Sequence, residues 1–192
     1  MTHQVHAFEP PDRFVAGTVG TPGDRTFFLQ ARGGGRVVSV ALEKVQVSLL
    51  AEKLEELLAE AHRRFGVDLP VLATANDPDN DPLDTPVDEE FRVGTLGLAF
   101  DVDTATVIIE AIAAGEGEQE LIAEDEDDAD DEPEEPDDDL DRLRVRLTPE
   151  ATRDFIDRAR RVLSAGRPPC PLCGQPLDPK GHLCPRHNGY HR

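Results

Sequence analysis

The chain has 192 residues, 38% of them hydrophobic and 5% aromatic, with a formal charge of −20; this is room for one medium domain with a real core and a small appendage. The excess charge is local: residues 116–139 hold sixteen acids and no Lys or Arg, leaving 24 acids against 20 bases elsewhere, which excludes a chain that is uniformly acidic and unable to fold. No stretch approaches the ~20 apolar residues of a membrane span, no N-terminal segment has the pattern of a signal peptide, and three Cys within fifteen residues favour metal binding in a reducing compartment over a disulfide framework, so a cytoplasmic protein is expected.

Residues 13–20 read as a strand that ends at the turn Thr21-Pro22-Gly23-Asp24. Residues 25–32, with Phe27, Phe28 and Leu29, read as its hairpin partner, and Gly33-Gly34-Gly35 supplies the next turn. Residues 36–42 alternate, with Val38, Val40 and Leu42 on one side, as a half-buried strand does. A helix is expected over 44–64, because Leu50, Leu54, Leu57, Leu58 and Ala61 form one apolar stripe. Arg63 and Arg64 complement its C-terminal dipole, and Gly66 is its C′ residue. Residues 74–90 are rich in Asp and Pro and read as a solvated loop.

The pattern then recurs. Strands are expected at 91–100 and 105–113, and a third where Leu143, Val145 and Leu147 alternate with Arg142, Arg144 and Arg146. Thr148-Pro149-Glu150 is a helix start: a capping hydroxyl, Pro at N1, then an acid. Phe155, Ala159, Val162 and Leu163 give that helix its stripe, and Gly166 ends it. Val15-Ala16-Gly17-Thr18-Val19-Gly20 parallels Arg92-Val93-Gly94-Thr95-Leu96-Gly97. The expected fold is therefore α+β: duplicated βββα units packed as one pseudo-symmetric domain, with a small C-terminal zinc ribbon. Residues 1–115 would hold the first unit and two strands of the second. Residues 116–139 would be a disordered acidic loop, 140–166 the last strand and helix, and 167–192 the ribbon-like tail.

The tail carries the chemistry. Cys170-Pro171-Leu172-Cys173-Gly174 is a knuckle turn whose two thiolates can chelate one ion. His182, Cys184 and His187 offer the remaining ligands. The Cys184-Pro-Arg-His187 spacing repeats that of the first knuckle and favours His187; His182 is also feasible, because His-x-Cys in an extended strand puts both side chains on one side. Zinc is the expected ion. Four protein ligands would saturate it, which makes the site structural rather than catalytic, since a catalytic zinc keeps a position for water.

Other candidates carry less. Asp77, Asp79, Asp81, Asp84 and Asp88 resemble a calcium loop, but Pro82 stands where that loop requires Gly and Asp88 where it requires Glu. His3 and His6 have no partner spacing and are expected at the surface. Arg142, Arg144 and Arg146, followed by Arg153, Arg158, Arg160 and Arg161, read as a solvated face or as an anion site for nucleic acid or a phosphorylated ligand, against which the acidic tract could act as a tethered polyanion.

Pro11-Asp12-Arg13-Phe14-Val15-Ala16-Gly17-Thr18-Val19-Gly20, Arg25 to Arg32, Thr85 to Gly94 and Cys170-Pro-Leu-Cys-Gly together resemble an uncharacterised actinobacterial family of unknown function. The resemblance implies a recurrent Gly-His-x-Cys-Pro-Arg-x-Asn-Gly-Tyr tail, matched by Gly181 to Tyr190, which makes His182 the fourth ligand of the family pattern. Phe100 departs from it, standing where Trp is expected. It also implies a protein partner, kinase-like or phosphatase-like. The resulting expectation is a non-catalytic binding or adaptor protein. The alternatives are an enzyme or enzyme subunit acting on a phosphorylated small molecule, and nucleic-acid binding through the basic C-terminal region.

Overall fold

Strands and capped helices account for most of the described residues in the computed structural model, which describes residues 3–68, 78–115, 140–166, 170–173, 177 and 184. The elements run β1 (Val5–Phe8), β2 (Arg13–Thr21), β3 (Asp24–Gly33), β4 (Arg36–Leu42), α1 (Lys44–Phe65), β5 (Glu89–Asp101), β6 (Thr106–Ala113), β7 (Arg142–Leu147) and α2 (Pro149–Ser164). The fold is α+β, with seven strands in one sheet of order β1-β7-β6-β5-β4-β3-β2. No described helix is long and apolar enough to cross a membrane.

β2, β3 and β4 form an antiparallel meander, and so do β5, β6 and β7; the two meet through a parallel β4–β5 pairing. β1, which no local pattern marks as a strand, adds in parallel to the far edge by pairing Val5–Phe8 with Arg142–Val145. This connectivity forces the sheet to roll. Six strand spacings of ~4.8 Å would put β1 about 29 Å from β2 in a flat sheet. Yet only residues 9–12 join them, and the five steps from Phe8 to Arg13 span at most ~18 Å. The junction is pinned on both sides, by Asp12 N–H to the Arg32 carbonyl at 2.7 Å and Arg142 N–H to the Gln4 carbonyl at 3.0 Å.

One core fills the inner side of the rolled sheet. It joins Phe14 and Leu29 with Val40, Leu96, Ile109 and Val145, and with Leu50 and Leu54 of α1 and Phe155 and Ile156 of α2. α1 begins where Gln46 accepts from the Glu43 N–H at 2.8 Å and donates to the carbonyls of Val93 and Gly94 at 3.3 and 3.2 Å. It ends at Gly66, whose φ of 65° is the left-handed cap conformation. α2 starts as expected: the Thr148 hydroxyl accepts from the Ala151 N–H at 3.2 Å, with Pro149 at the first position. It closes one residue before the expected glycine, at Ala165.

Two expectations are corrected. His6 is buried, 4% exposed, because β1 carries it into the sheet, where its Nε2 lies 3.6 Å from Glu90. The Asp/Pro-rich segment, described from residue 78 onward, is not merely solvated. Leu83 of this segment is 7% exposed and packs on the outer side of β2–β4 with Val15, Phe28 and Ala41. The acidic tract 116–139, expected to be disordered, lies outside the described residues, as does Asp77.

Candidate metal centre

Past the end of α2 the chain turns at Pro171–Cys173, which brings Cys170 and Cys173 round one point. Cys184 returns to that point from fourteen residues away. The three sulfur atoms lie within 4.8 Å of one another, and Cys170 and Cys184 are 3.9 Å apart. A tetrahedral zinc with arms of ~2.3 Å has sulfur–sulfur edges of about 3.8 Å, so the spacing fits one shared ion. None of the three Cys is in a disulfide, whose sulfurs would be ~2.05 Å apart. Cys170 and Cys184 are buried and Cys173 is half-buried. The backbone N–H groups of Cys173 and Leu172 face the Cys170 sulfur and bring its thiol down to about 6. Such donors stabilise the thiolate, the form that binds metal. His182 and His187, the two candidates for a fourth ligand, lie outside the described residues.

The arginines of β7 stand on its outward side, alternating with buried Leu143, Val145 and Leu147. Acids sit beside Arg144 and Arg146. Arg144 Nε is 3.3 Å from Glu110 and 3.7 Å from Glu9. Arg146 bonds Asp101 at 2.6 Å, together with the Thr104 and Thr106 hydroxyls, and it is the main reason that the Asp101 carboxyl falls to about 2. An incoming anion would have to displace those carboxylates. On α2, Arg153 and Arg160 both bond Glu55 of α1.

A second arginine cluster, in which Arg13 and Arg32 carry no sequence signature of their own, lies on the outer side of β2–β4. Arg13 and Arg32 line an open cavity of about 460 Å³ with Asp81, Pro82, Leu83 and Asp84. Arg13 binds Asp79 through Nε and Nη2, and its third nitrogen reaches Asp84 at 3.3 Å. Hydrogen bonding from Arg13, helped by the charge of Arg158, holds the Asp79 carboxyl below the usual carboxylate range. In the sequence, Arg13 stands out only as the first residue of a strand. The available signal is a run of closely spaced acids, Asp79, Asp81 and Asp84, with no lysine or arginine of its own to pair with.

A model of the family described as "Protein of unknown function (DUF3090)" matches residues 6–184. No curated protein and no solved structure matches the chain.

Proposed function

The chain belongs to the DUF3090 family, a family of unknown function, and from its own residues we propose that it is a non-catalytic cytoplasmic binding protein whose C-terminal segment is clipped by one structural zinc ion. The observation that carries this reading is the convergence of Cys170, Cys173 and Cys184 within 4.8 Å. Three thiolates and one imidazole saturate a tetrahedral zinc and leave no position for a substrate or a water. His182 is the fourth ligand of choice, with His187 as the alternative; the family match spans the first and stops short of the second. The tail is then a zinc ribbon whose folding depends on the ion. The two runs of three strands and a helix are copies of one βββα unit.

The partner on this reading is another protein, and the resemblance points to a kinase-like or phosphatase-like one. Glu110 and Asp101 already engage Arg144 and Arg146, the arginines of β7 that a phosphorylated ligand or a nucleic acid would use, which favours a protein partner over both.

Metal analysis tests the clip. Wild-type protein purified without chelator is expected to carry one zinc per chain. Cys170→Ser and Cys184→Ser are each expected to lose most of it, while the melting transition of the body stays in place. Full zinc occupancy in both variants would contradict the assignment.

A further inference from the structure

The segment over residues 78–88 is bound to the outer side of β2–β4 as a peptide is bound to a receptor. At one end a guanidinium fork takes a carboxylate: Arg13 Nε to Asp79 Oδ2 at 2.7 Å and Nη2 to Oδ1 at 2.9 Å. Arg158 of α2 adds Nη1 to Oδ1 at 2.7 Å, and it also donates to the carbonyls of Asp79 and Asp81 at 2.6 and 2.7 Å. At the other end the buried Gln30 of β3 clamps the main chain of Asp84, accepting from its N–H at 2.7 Å and donating to its carbonyl at 3.0 Å. The Asp84 carboxylate meets Arg32 at 3.0 Å and Arg13 at 3.3 Å. Between the two ends, Leu83 enters a socket of Val15, Phe28 and Ala41. Gly17 opens that socket, since a Cβ there would lie 2.5 Å from Leu83 Cδ2.

Each part has a recognition role. A bidentate fork selects a carboxylate, an amide clamp reads main chain whatever the side chain, and a closed apolar socket selects one residue. The arginine side chains at the centre are desolvated: those of Arg13 and Arg158 are 10% and 8% exposed. A guanidinium so enclosed needs an anion against it at all times, so whatever replaces the segment must also bring carboxylates. On a chain of net charge −20, three guanidiniums converge here on two carboxylates.

We propose that this side of β2–β4 is a peptide-recognition surface, occupied in cis by the chain's own residues 79–84, and that an acidic segment of a partner protein with a leucine beside a carboxylate competes for it. The proposal rests on the binding-protein reading above and names where the partner docks. Self-occupancy divides the apparent affinity of an outside segment by the open fraction, so the surface answers only to a partner that binds tightly or is held close.

A labelled peptide with the sequence of residues 78–88 tests this by fluorescence anisotropy on the full chain. The double variant Asp79→Ala/Leu83→Ala, which loosens the segment, is expected to bind the peptide saturably, at least ten-fold more tightly than wild type does. Adding Arg13→Ala is expected to cost at least ten-fold of that affinity. If the double variant fails to fold, as judged by circular dichroism, Asp79→Asn alone is read in the same way. A folded loosened variant with no saturable binding overturns the proposal. So does binding that Arg13→Ala leaves unchanged, or displacement of the peptide by duplex DNA as readily as by unlabelled peptide. Zinc content is read in parallel: failed peptide binding with zinc intact leaves the metal site standing, and Cys170→Ser added to the double variant is expected to lose zinc and keep the peptide.

Discussion

A single methyl group at position 17 decides whether Leu83 can dock. Gly17 sits in β2 without a left-handed backbone, so replacing it strains nothing but the contact itself: the new Cβ would stand 2.5 Å from one Leu83 carbon and 2.6 Å from another. Gly17→Ala is expected to cost about 1–3 kcal/mol, the usual range for overpacking. It should also speed hydrogen exchange at the Leu83 and Asp84 amides while leaving β6 protected; unchanged exchange at both would show that the socket yields. Asp101 gives a second test at this scale. Its carboxyl is lowered to about 2, chiefly by the hydrogen bond from Arg146. A depressed folded-state pKa means that the stabilisation is complete above the unfolded value of ~3.9 and is lost as pH falls through the folded one. The stability gap between wild type and Asp101→Asn, measured by urea unfolding at pH 5, 4, 3 and 2, should therefore narrow below pH 4. A gap that stays constant to pH 2 would mean that the pair contributes nothing.

At the scale of elements, α2 does more than cover the core. Among the described residues, no strand lies beside the outward edge of β2 at Ala16; instead Arg158 donates Nε to the Ala16 carbonyl at 3.0 Å while its other nitrogens hold residues 79 and 81. One side chain thus caps a sheet edge, fixes a helix against it and anchors the docked segment. Burial is the main reason that the Arg158 guanidinium is pulled below its ordinary pKa, with Arg13 and Arg161 adding repulsion. Arg158→Lys keeps the charge and loses the fork, so it cannot serve three directions. It is expected to cost about 2–4 kcal/mol, as carbonyls lose buried partners. Thermal melts of Arg158→Lys and Arg153→Lys check this. Among the described residues the second arginine bonds only the half-exposed Glu55, so its replacement should change stability by less than about 1 kcal/mol.

Across the whole molecule, what the sequence made legible was local and what it hid was not. Period-two runs such as Val38, Val40 and Leu42, and the Thr148-Pro149 cap, state their own structure, and they stand where expected. β1 does not: Val5–Phe8 becomes a strand only by pairing with residues some 137 positions away, and His6 is buried for the same reason. The docked segment was hidden too, since Asp and Pro spell a loop and nothing local says that Gln30 and Arg13 await it. The metal site lay between these cases. Its cysteine spacing was plain, and the structure adds that Cys184 closes on the knuckle, while the choice between His182 and His187 falls on residues outside those described. X-ray absorption at the zinc edge of the purified full chain tests the central claim most directly. The account predicts three sulfurs at ~2.3 Å and one nitrogen at ~2.0–2.1 Å, a closed shell with no bound water. Two or fewer sulfurs, or an additional exchangeable oxygen ligand, would contradict a structural clip built on Cys170, Cys173 and Cys184.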